Sequence, residues 1–457
     1  MIASCDLFDL LRRSIVLSQL KKERRETFTS KFGFIVSCVG AALGLGNIWM
    51  FSYRLGTYGG AAFLIPYFIF IFLLGTTGLI TEFSFGRRFQ AGSLTGLTQL
   101  FKAHNIKGGK ALALIPVLGV IGILMFYSIV VGWILKYFSL SLNGELLMIE
   151  TSSYFENFAG TPSSIIWFLV ATLLTMIIVG LGITKGIEKL NKIAMPLLLL
   201  LFIILTIRSI TLPGALGGVE YLLTPRWEFL FKFETWVMAL GQAFFSVSLT
   251  GCSMVVYGSY TDKSYDIVSA SVATAIFDTI AALLAAFMIM PAVFSLGLDP
   301  TAGPSLLFIT IPSIFRLIPY GNILSILFFL SIIFAAISST IGLLEGPVEA
   351  LMSQTKLNRR QSTNLISVIT FILALPLAIN IDWFNTFADF VTIILSPIGV
   401  MIMAFAWFYL YQGDLLKEVN EGAARPLPHA FIKFGRYIFV PVTILIIILG
   451  MIYGGIG

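Results

Sequence analysis

Four carboxylates stand inside long apolar stretches of this chain: Glu82, Asp278, Glu345 and Asp389. An ionisable side chain in a bilayer interior is costly and marks a functional site by default. Asp278 has Thr274 one turn earlier and no basic neighbour, so a bound cation is its natural counter-charge. Glu82 and Glu345 read instead as structural carboxylates, with the N–H groups of broken helices as their expected partners. Asn47, Ser246 and Asp278 offer one all-oxygen ligand set. The hydroxyl run Ser338-Ser339-Thr340, after Phe334-Ala335-Ala336, offers another with backbone carbonyls facing it. Such hydroxyls most often bond to carbonyls one turn back in their own helix. Hydroxyls and carbonyls without a carboxylate suit a weakly held monovalent cation. Neither set has the imidazole or thiolate ligands of a transition-metal site.

Those oxygens need an element that presents them, and residues 33–60 are the candidate. The stretch GFIVSCVGAALGLGNIWMFSYRLGTYGG is apolar and long enough to cross a bilayer, yet its middle holds Gly40, Gly44, Gly46 and Asn47. Glycine weakens a helix, and an unpaired backbone group in hydrocarbon costs several kcal/mol. The helix is therefore either packed very closely on small residues or broken, with freed carbonyls and N–H groups able to bind an ion and a small zwitterion. The apolar segment at 234–260 has a similar interruption, Ser248-Leu249-Thr250-Gly251-Cys252, five spans later. Paired interruptions at an odd offset point to an inverted-repeat transporter.

The 457 residues are 58% hydrophobic and 11% charged, with mean hydropathy +0.95. Soluble domains carry about 25% charged residues, so the chain is a polytopic membrane protein. Apolar segments fall at about 33–55, 61–84, 111–139, 163–182, 187–211, 234–260, 265–295, 320–352, 361–380, 384–412 and 431–453. At about 20 residues per crossing they make roughly eleven spans. Residues 1–31 read as a cytoplasmic segment with a short amphipathic helix over 7–20 and no cleavable signal peptide. Placing the N-terminus inside puts 23 of the 29 Lys/Arg on the cytoplasmic side, as the positive-inside rule requires. The net charge of +6 therefore reflects topology rather than nucleic-acid binding. Cys5, Cys38 and Cys252 are scattered and read as packing residues, and the two histidines, His104 and His429, fall in loops. A histidine-based catalytic or metal centre is not expected, and the chain is not read as an enzyme.

Several stretches together resemble the neurotransmitter:sodium symporter family. They are GAALGLGNIW (40–49), GGAAFLIPY (59–67), EFSFGR (82–87), KGIEKLNKIAMP (185–196), GQAFFSVSL (241–249), YGSY (257–260) and GPSLLFITIPSIF (303–315). The chain looks like a bacterial member, similar to the leucine and tryptophan symporters, across residues 25 to 450. The resemblance implies an all-α, five-plus-five inverted-repeat fold with unwound first and sixth helices. It divides the chain into 1–31, a first repeat 32–212, a second repeat 213–412, and a loop with span 11 at 413–457. It implies sodium-coupled uptake of a neutral amino acid by alternating access, in the bacterial inner membrane. The alternatives are an uncoupled or proton-coupled permease on the same fold and a non-transporting amino-acid sensor.

Carried over residue by residue, the family's first sodium site would use Ala42 (carbonyl), Asn47, Ser246 and Asp278. The second would use the carbonyls of Gly40, Leu43 and Ala335 with the hydroxyls of Ser338 and Ser339, making two sodium ions and no organic cofactor. Substrate would lie against Ala42, Leu45, Gly46, Ile123, Tyr127, Phe245, Ser248, Gly251, Ser339 and Leu343. The Tyr127 hydroxyl would hold its carboxylate, and Phe245 would act as a thin outer lid. Ile123, Phe245, Leu343 and the small Gly251 lead us to expect a large apolar or aromatic amino acid.

The chain departs from the family pattern at four places. Asp278 replaces the usual Asn, which implies that transport needs no chloride. Met50 replaces the outer-gate Arg that normally pairs with the acid at Asp389, leaving Arg54, one turn outward, as a substitute partner or the outer gate purely apolar. Arg25 and Phe28 fit the inner gate, with Tyr260 beside them, but the acidic position aligns with Ser353. Thr250-Gly251-Cys252 stands where Gly-X-Gly is usual.

Overall fold

The computed structural model describes residues 26–298 and 306–454. The segment 7–20, Cys5 and Arg25 lie outside the described residues. Every regular element described is helical, as an apolar chain in hydrocarbon demands, because a helix satisfies its own backbone.

Nine helices among the described residues are long and apolar enough to span without interruption: Gly60–Phe89, Gly109–Leu142, Pro162–Gly180, Ile183–Ile210, Ile267–Ser295, Gly321–Gln354, Arg359–Ala378, Ile381–Leu410 and Ala430–Tyr453. A bent pair, Lys31–Ala42 and Gly46–Thr57, turns by 75° at its break and makes a tenth. The eleventh expected segment does not qualify by length, because it is divided into Phe233–Ser246 and Ser253–Ser259. The shortfall from eleven thus falls on the sixth segment, whose interruption leaves neither half long enough to count.

Helix starts follow local chemistry. Ser30 Oγ accepts from the Gly33 N–H at 3.0 Å and caps the first span. Asn358 and Gln361 form a reciprocal capping box at the ninth, each side chain meeting the other's backbone N–H at 3.0 Å. Such caps satisfy N–H groups that a helix start leaves open.

The third span (Gly109–Leu142) and the eighth (Gly321–Gln354) pack along each other in the interior. Their apolar windows are 78% and 72% buried, against 28% for Pro162–Gly180 on the periphery. A span that faces protein on most sides can contribute side chains to a central site, and a peripheral span mostly meets lipid. Cys38 and Cys252 are fully buried, Cys252 beside Gly346 of the eighth span.

Candidate functional site

The two interruptions meet in the interior. In the first, Leu43 leaves the helix with extended backbone. In the second, Ser248 and Gly251 take φ of 54° and 71°. That region is cheap for glycine and strained for serine. A Cβ at Gly251 would lie 2.4 Å from the Gly399 carbonyl oxygen. The Ser248 hydroxyl donates to the Ala41 carbonyl at 2.8 Å and ties one break to the other. Glu82 accepts from the N–H groups of Thr250 (3.1 Å) and Gly251 (2.8 Å), the role expected of it.

Asn47, Ser246 and Asp278 come together as expected, all three buried. Asn47 Nδ2 donates to Asp278 Oδ1 at 2.7 Å and to Ser246 Oγ at 2.8 Å. Ser246 Oγ donates to Asp278 Oδ2. Asn47 Oδ1 accepts from the Gly44 N–H at 3.1 Å, which holds the turn of the broken helix. Among the described residues no salt bridge reaches Asp278. The cluster thus buries a carboxyl group whose partners here are the Asn47 amide and the Ser246 hydroxyl.

The second set also assembles. Ser339 Oγ stands 3.0 Å from the Leu43 carbonyl and 3.5 Å from that of Gly40. Ser338 Oγ donates within its own helix, to Phe334 O at 2.7 Å and Ala335 O at 2.9 Å. Five neutral oxygens from the first and eighth spans therefore share one locality. They are hard ligands of the kind an alkali cation takes. No cluster of three or more His, Cys, Asp or Glu suited to a metal occurs among the described residues.

A cavity of about 60 Å³ lies between the breaks. Ala42, Leu45, Ile123, Tyr127, Phe245, Ser248, Ser339 and Leu343 line it, eight of the ten residues expected there. Gly46 lines the outer cavity instead, its Cα packed under the Phe245 ring. Gly251 is not a pocket wall, because its left-handed turn aims its backbone at Glu82, Ser93 and Gly399. Tyr127 OH accepts from the Leu45 N–H at 3.1 Å at the cavity's edge. Thr392 and Ser396 of the tenth span line the cavity too, and the sequence reading missed them. With Asp389 they recur at i, i+3 and i+7, a one-face signal that was there to be read.

Beyond Phe245 lies a second cavity of about 440 Å³, walled by Met50, Phe126, Trp133, Phe155, Phe308 and Phe384, with Asp389 on its lining. Arg54 does not serve as the partner of Asp389. It is 3% exposed, its Nη1 donates to Gln242 Oε1 at 3.1 Å, and no ion pair joins it to Asp389 among the described residues.

The opposite side is shut. Phe28 is buried against Phe34, Tyr257 and Tyr260, its N–H donating to the Tyr260 carbonyl at 3.2 Å. Glu188 accepts from the Thr29 N–H (2.8 Å), the Thr29 hydroxyl (2.6 Å) and Lys192 (2.7 Å), pinning the approach to the first span. Ser353 makes no ion pair; its hydroxyl meets Thr95 and Ala350. Glu345, expected to cap a broken helix, pairs instead with Arg359 and Tyr260. The turn at 355–358 folds the ninth span back on the eighth and brings that guanidinium inward.

Against this geometry, comparison with known proteins identifies the chain. The family model of the sodium:neurotransmitter symporter family matches residues 25–157 and 155–454, and the chain belongs to that family. It is 33% identical over 452 residues to the sodium-dependent transporter YhdH of Bacillus subtilis, covering 95% of this chain and 99% of the relative. It is 32% identical over 425 residues to the sodium-dependent transporter MJ1319 of Methanocaldococcus jannaschii, covering 87% and 84%. The crystal structure of MhsT in complex with L-phenylalanine superposes with a TM-score of 0.82 at 36% identity, covering 93% of this chain and 99% of that one. The protein is thus a multi-pass membrane symporter that uses sodium to move a small molecule, on the inverted-repeat fold with broken first and sixth helices, and it is not an enzyme.

Proposed function

We propose that the protein imports a neutral amino acid with a large apolar or aromatic side chain, together with two sodium ions and without chloride, by alternating access. The observation that carries this is the central cavity itself. One part of its wall is backbone from two broken helices and the Tyr127 hydroxyl, a surface for the charged ends of an amino acid. The other part is Ile123, Phe245 and Leu343, an apolar wall for a side chain. The relative MhsT holds L-phenylalanine, which is the substrate chemistry this wall fits.

One sodium ion takes Ala42, Asn47, Ser246 and Asp278, and the Asn47 amide turns its oxygen toward the ion in place of its donor. The other takes the carbonyls of Gly40, Leu43 and Ala335 with Ser338 and Ser339. Asp278 supplies the negative charge a chloride would otherwise bring. Phe245 divides the central cavity from the outer one and acts as the lid. The basic asymmetry of the loops supports a cytoplasmic position for the shut side, in a bacterial inner membrane.

The test is binding of labelled L-phenylalanine to the purified protein in sodium and then in potassium, with a competition series. Phenylalanine, tryptophan and leucine compete at least about tenfold better than alanine, since each buried methylene is worth a factor of about ten or more. Equal competition by alanine contradicts the substrate class.

A further inference from the structure

We propose that Asn191 of the fifth span is a ligand of the second sodium ion, adding its side-chain oxygen to those of the first and eighth spans. This rests on the two-sodium reading. It brings in a residue of the KGIEKLNKIAMP stretch that lies outside the ligand set implied by the family resemblance.

Asn191 lies near the start of the fifth span, Ile183–Ile210, and is fully buried. Its Nδ2 donates to the Ile187 carbonyl one turn back, at 2.9 Å. A carbonyl only accepts, so this bond fixes which end of the amide is the nitrogen. Oδ1 is left without a hydrogen-bond partner among the described residues. It lies against Gly40 of the first span. A Cβ added to Gly40 would stand 2.3 Å from Oδ1 and 3.1 Å from Asn191 Cγ. The same Cβ would stand 3.1 Å from Ser338 Cβ of the eighth span. The amide oxygen, Gly40 and Ser338 thus converge, and only glycine at position 40 lets the amide come so close. Gly40 and Ser338 are both members of the neutral oxygen cluster.

A buried acceptor left unpaired is costly and calls for an explanation. The groups around this one have no donor to spare. Gly40 and Ser338 lie within the helices Lys31–Ala42 and Gly321–Gln354, whose N–H groups are spent on the turns before them. The Ser338 hydroxyl donates inside its own helix. A cation is the partner that the setting supplies. An amide oxygen is a neutral, hard ligand of the same kind as the carbonyls and hydroxyls beside it, and Asn side chains serve hard cations in this way. The bond to Ile187 holds the amide in place before the ion arrives, so ligation demands little reordering. With Asn191 included, the second sodium ion joins three spans, the first, the fifth and the eighth.

The experiment is equilibrium binding of radiolabelled sodium to the purified full-length protein in nanodiscs, with choline as the balancing cation and no amino acid present. It is run on the otherwise unaltered chain and again with Asp278→Asn, which weakens the first site and leaves the second to be read. Asn191→Ala raises the half-saturating sodium concentration about fivefold, the loss of one neutral ligand. Asn191→Asp, of nearly the same shape, lowers it at least about fivefold at pH 8, because a carboxylate oxygen in that place attracts a cation more strongly. A purely structural amide predicts the opposite for Asn191→Asp, since an ionised carboxylate cannot donate to the Ile187 carbonyl. A tighter site in Asn191→Asp cannot come from misfolding. Weaker sodium binding in Asn191→Asp, or unchanged binding in Asn191→Ala, overturns the assignment. Ser339→Ala is the reference. Where it weakens sodium binding and Asn191→Ala does not, the role of Asn191 fails alone. Where neither variant changes binding, the second sodium site fails, and the assignment of Asn191 falls with it.

Discussion

The two oxygen clusters beside the broken first helix differ in charge and in how their bonds are already committed. The Asn47–Ser246–Asp278 cluster contains a carboxyl group, and its side chains bond across three helices. The Ser338–Ser339 cluster is neutral; Ser339 reaches across to the first span while Ser338 bonds only within its own helix. A cation in the carboxyl cluster would meet a full counter-charge at the core of the bundle. A cation in the neutral cluster would meet dipoles alone. In the proposed cycle the first ion is therefore bound with the substrate and the second is the one that leaves readily. The comparison teaches that a coupled carrier can put strength in one site and reversibility in the other.

The largest expected effect comes from removing that difference. Asp278→Asn deletes the charge and a charge-assisted hydrogen bond, a loss of about 1.5–3 kcal/mol. Phenylalanine binding at fixed sodium falls by about tenfold to a hundredfold, read by equilibrium binding. A variant that binds as before would erase the distinction. Tyr127→Phe removes the hydroxyl that accepts from the Leu45 N–H and faces the cavity. It weakens phenylalanine about fivefold, from roughly 1 kcal/mol for one hydrogen bond, and isothermal titration over a sodium series separates this from any change in ion affinity. In the neutral cluster, Ser339→Ala raises the half-saturating sodium concentration about fivefold. Ser338→Ala raises it less, because that hydroxyl keeps its bonds inside its own helix. An equal effect of the two serines contradicts their different reach. The smallest effect is on chloride. Replacing chloride by gluconate leaves uptake unchanged in the intact protein, and a chloride requirement would remove Asp278 from its charge-supplying role.

The spans were legible because runs of about twenty apolar residues have little other use. Eight of the ten expected cavity residues also line the cavity, because the family resemblance carries them over position by position. Tertiary partners were less legible. The guanidinium of Arg54 goes to Gln242, 188 residues away in sequence, and no local pattern encodes that meeting. Glu345 pairs with Arg359 rather than with open N–H groups because the ninth span folds back on the eighth, a meeting that local sequence does not encode. Gly251 was placed in the wall by alignment with a pocket position, whereas its left-handed backbone turns it toward Gly399. Thr392 and Ser396 were passed over because single hydroxyls in a span are common and only their shared face singles them out.

The most direct test of the account is uptake of labelled L-phenylalanine into proteoliposomes under an inward sodium gradient, repeated with potassium replacing sodium. The account predicts accumulation above equilibrium that disappears with the sodium gradient. Uptake that is indifferent to sodium, or sodium-dependent binding that never leads to accumulation, would contradict it.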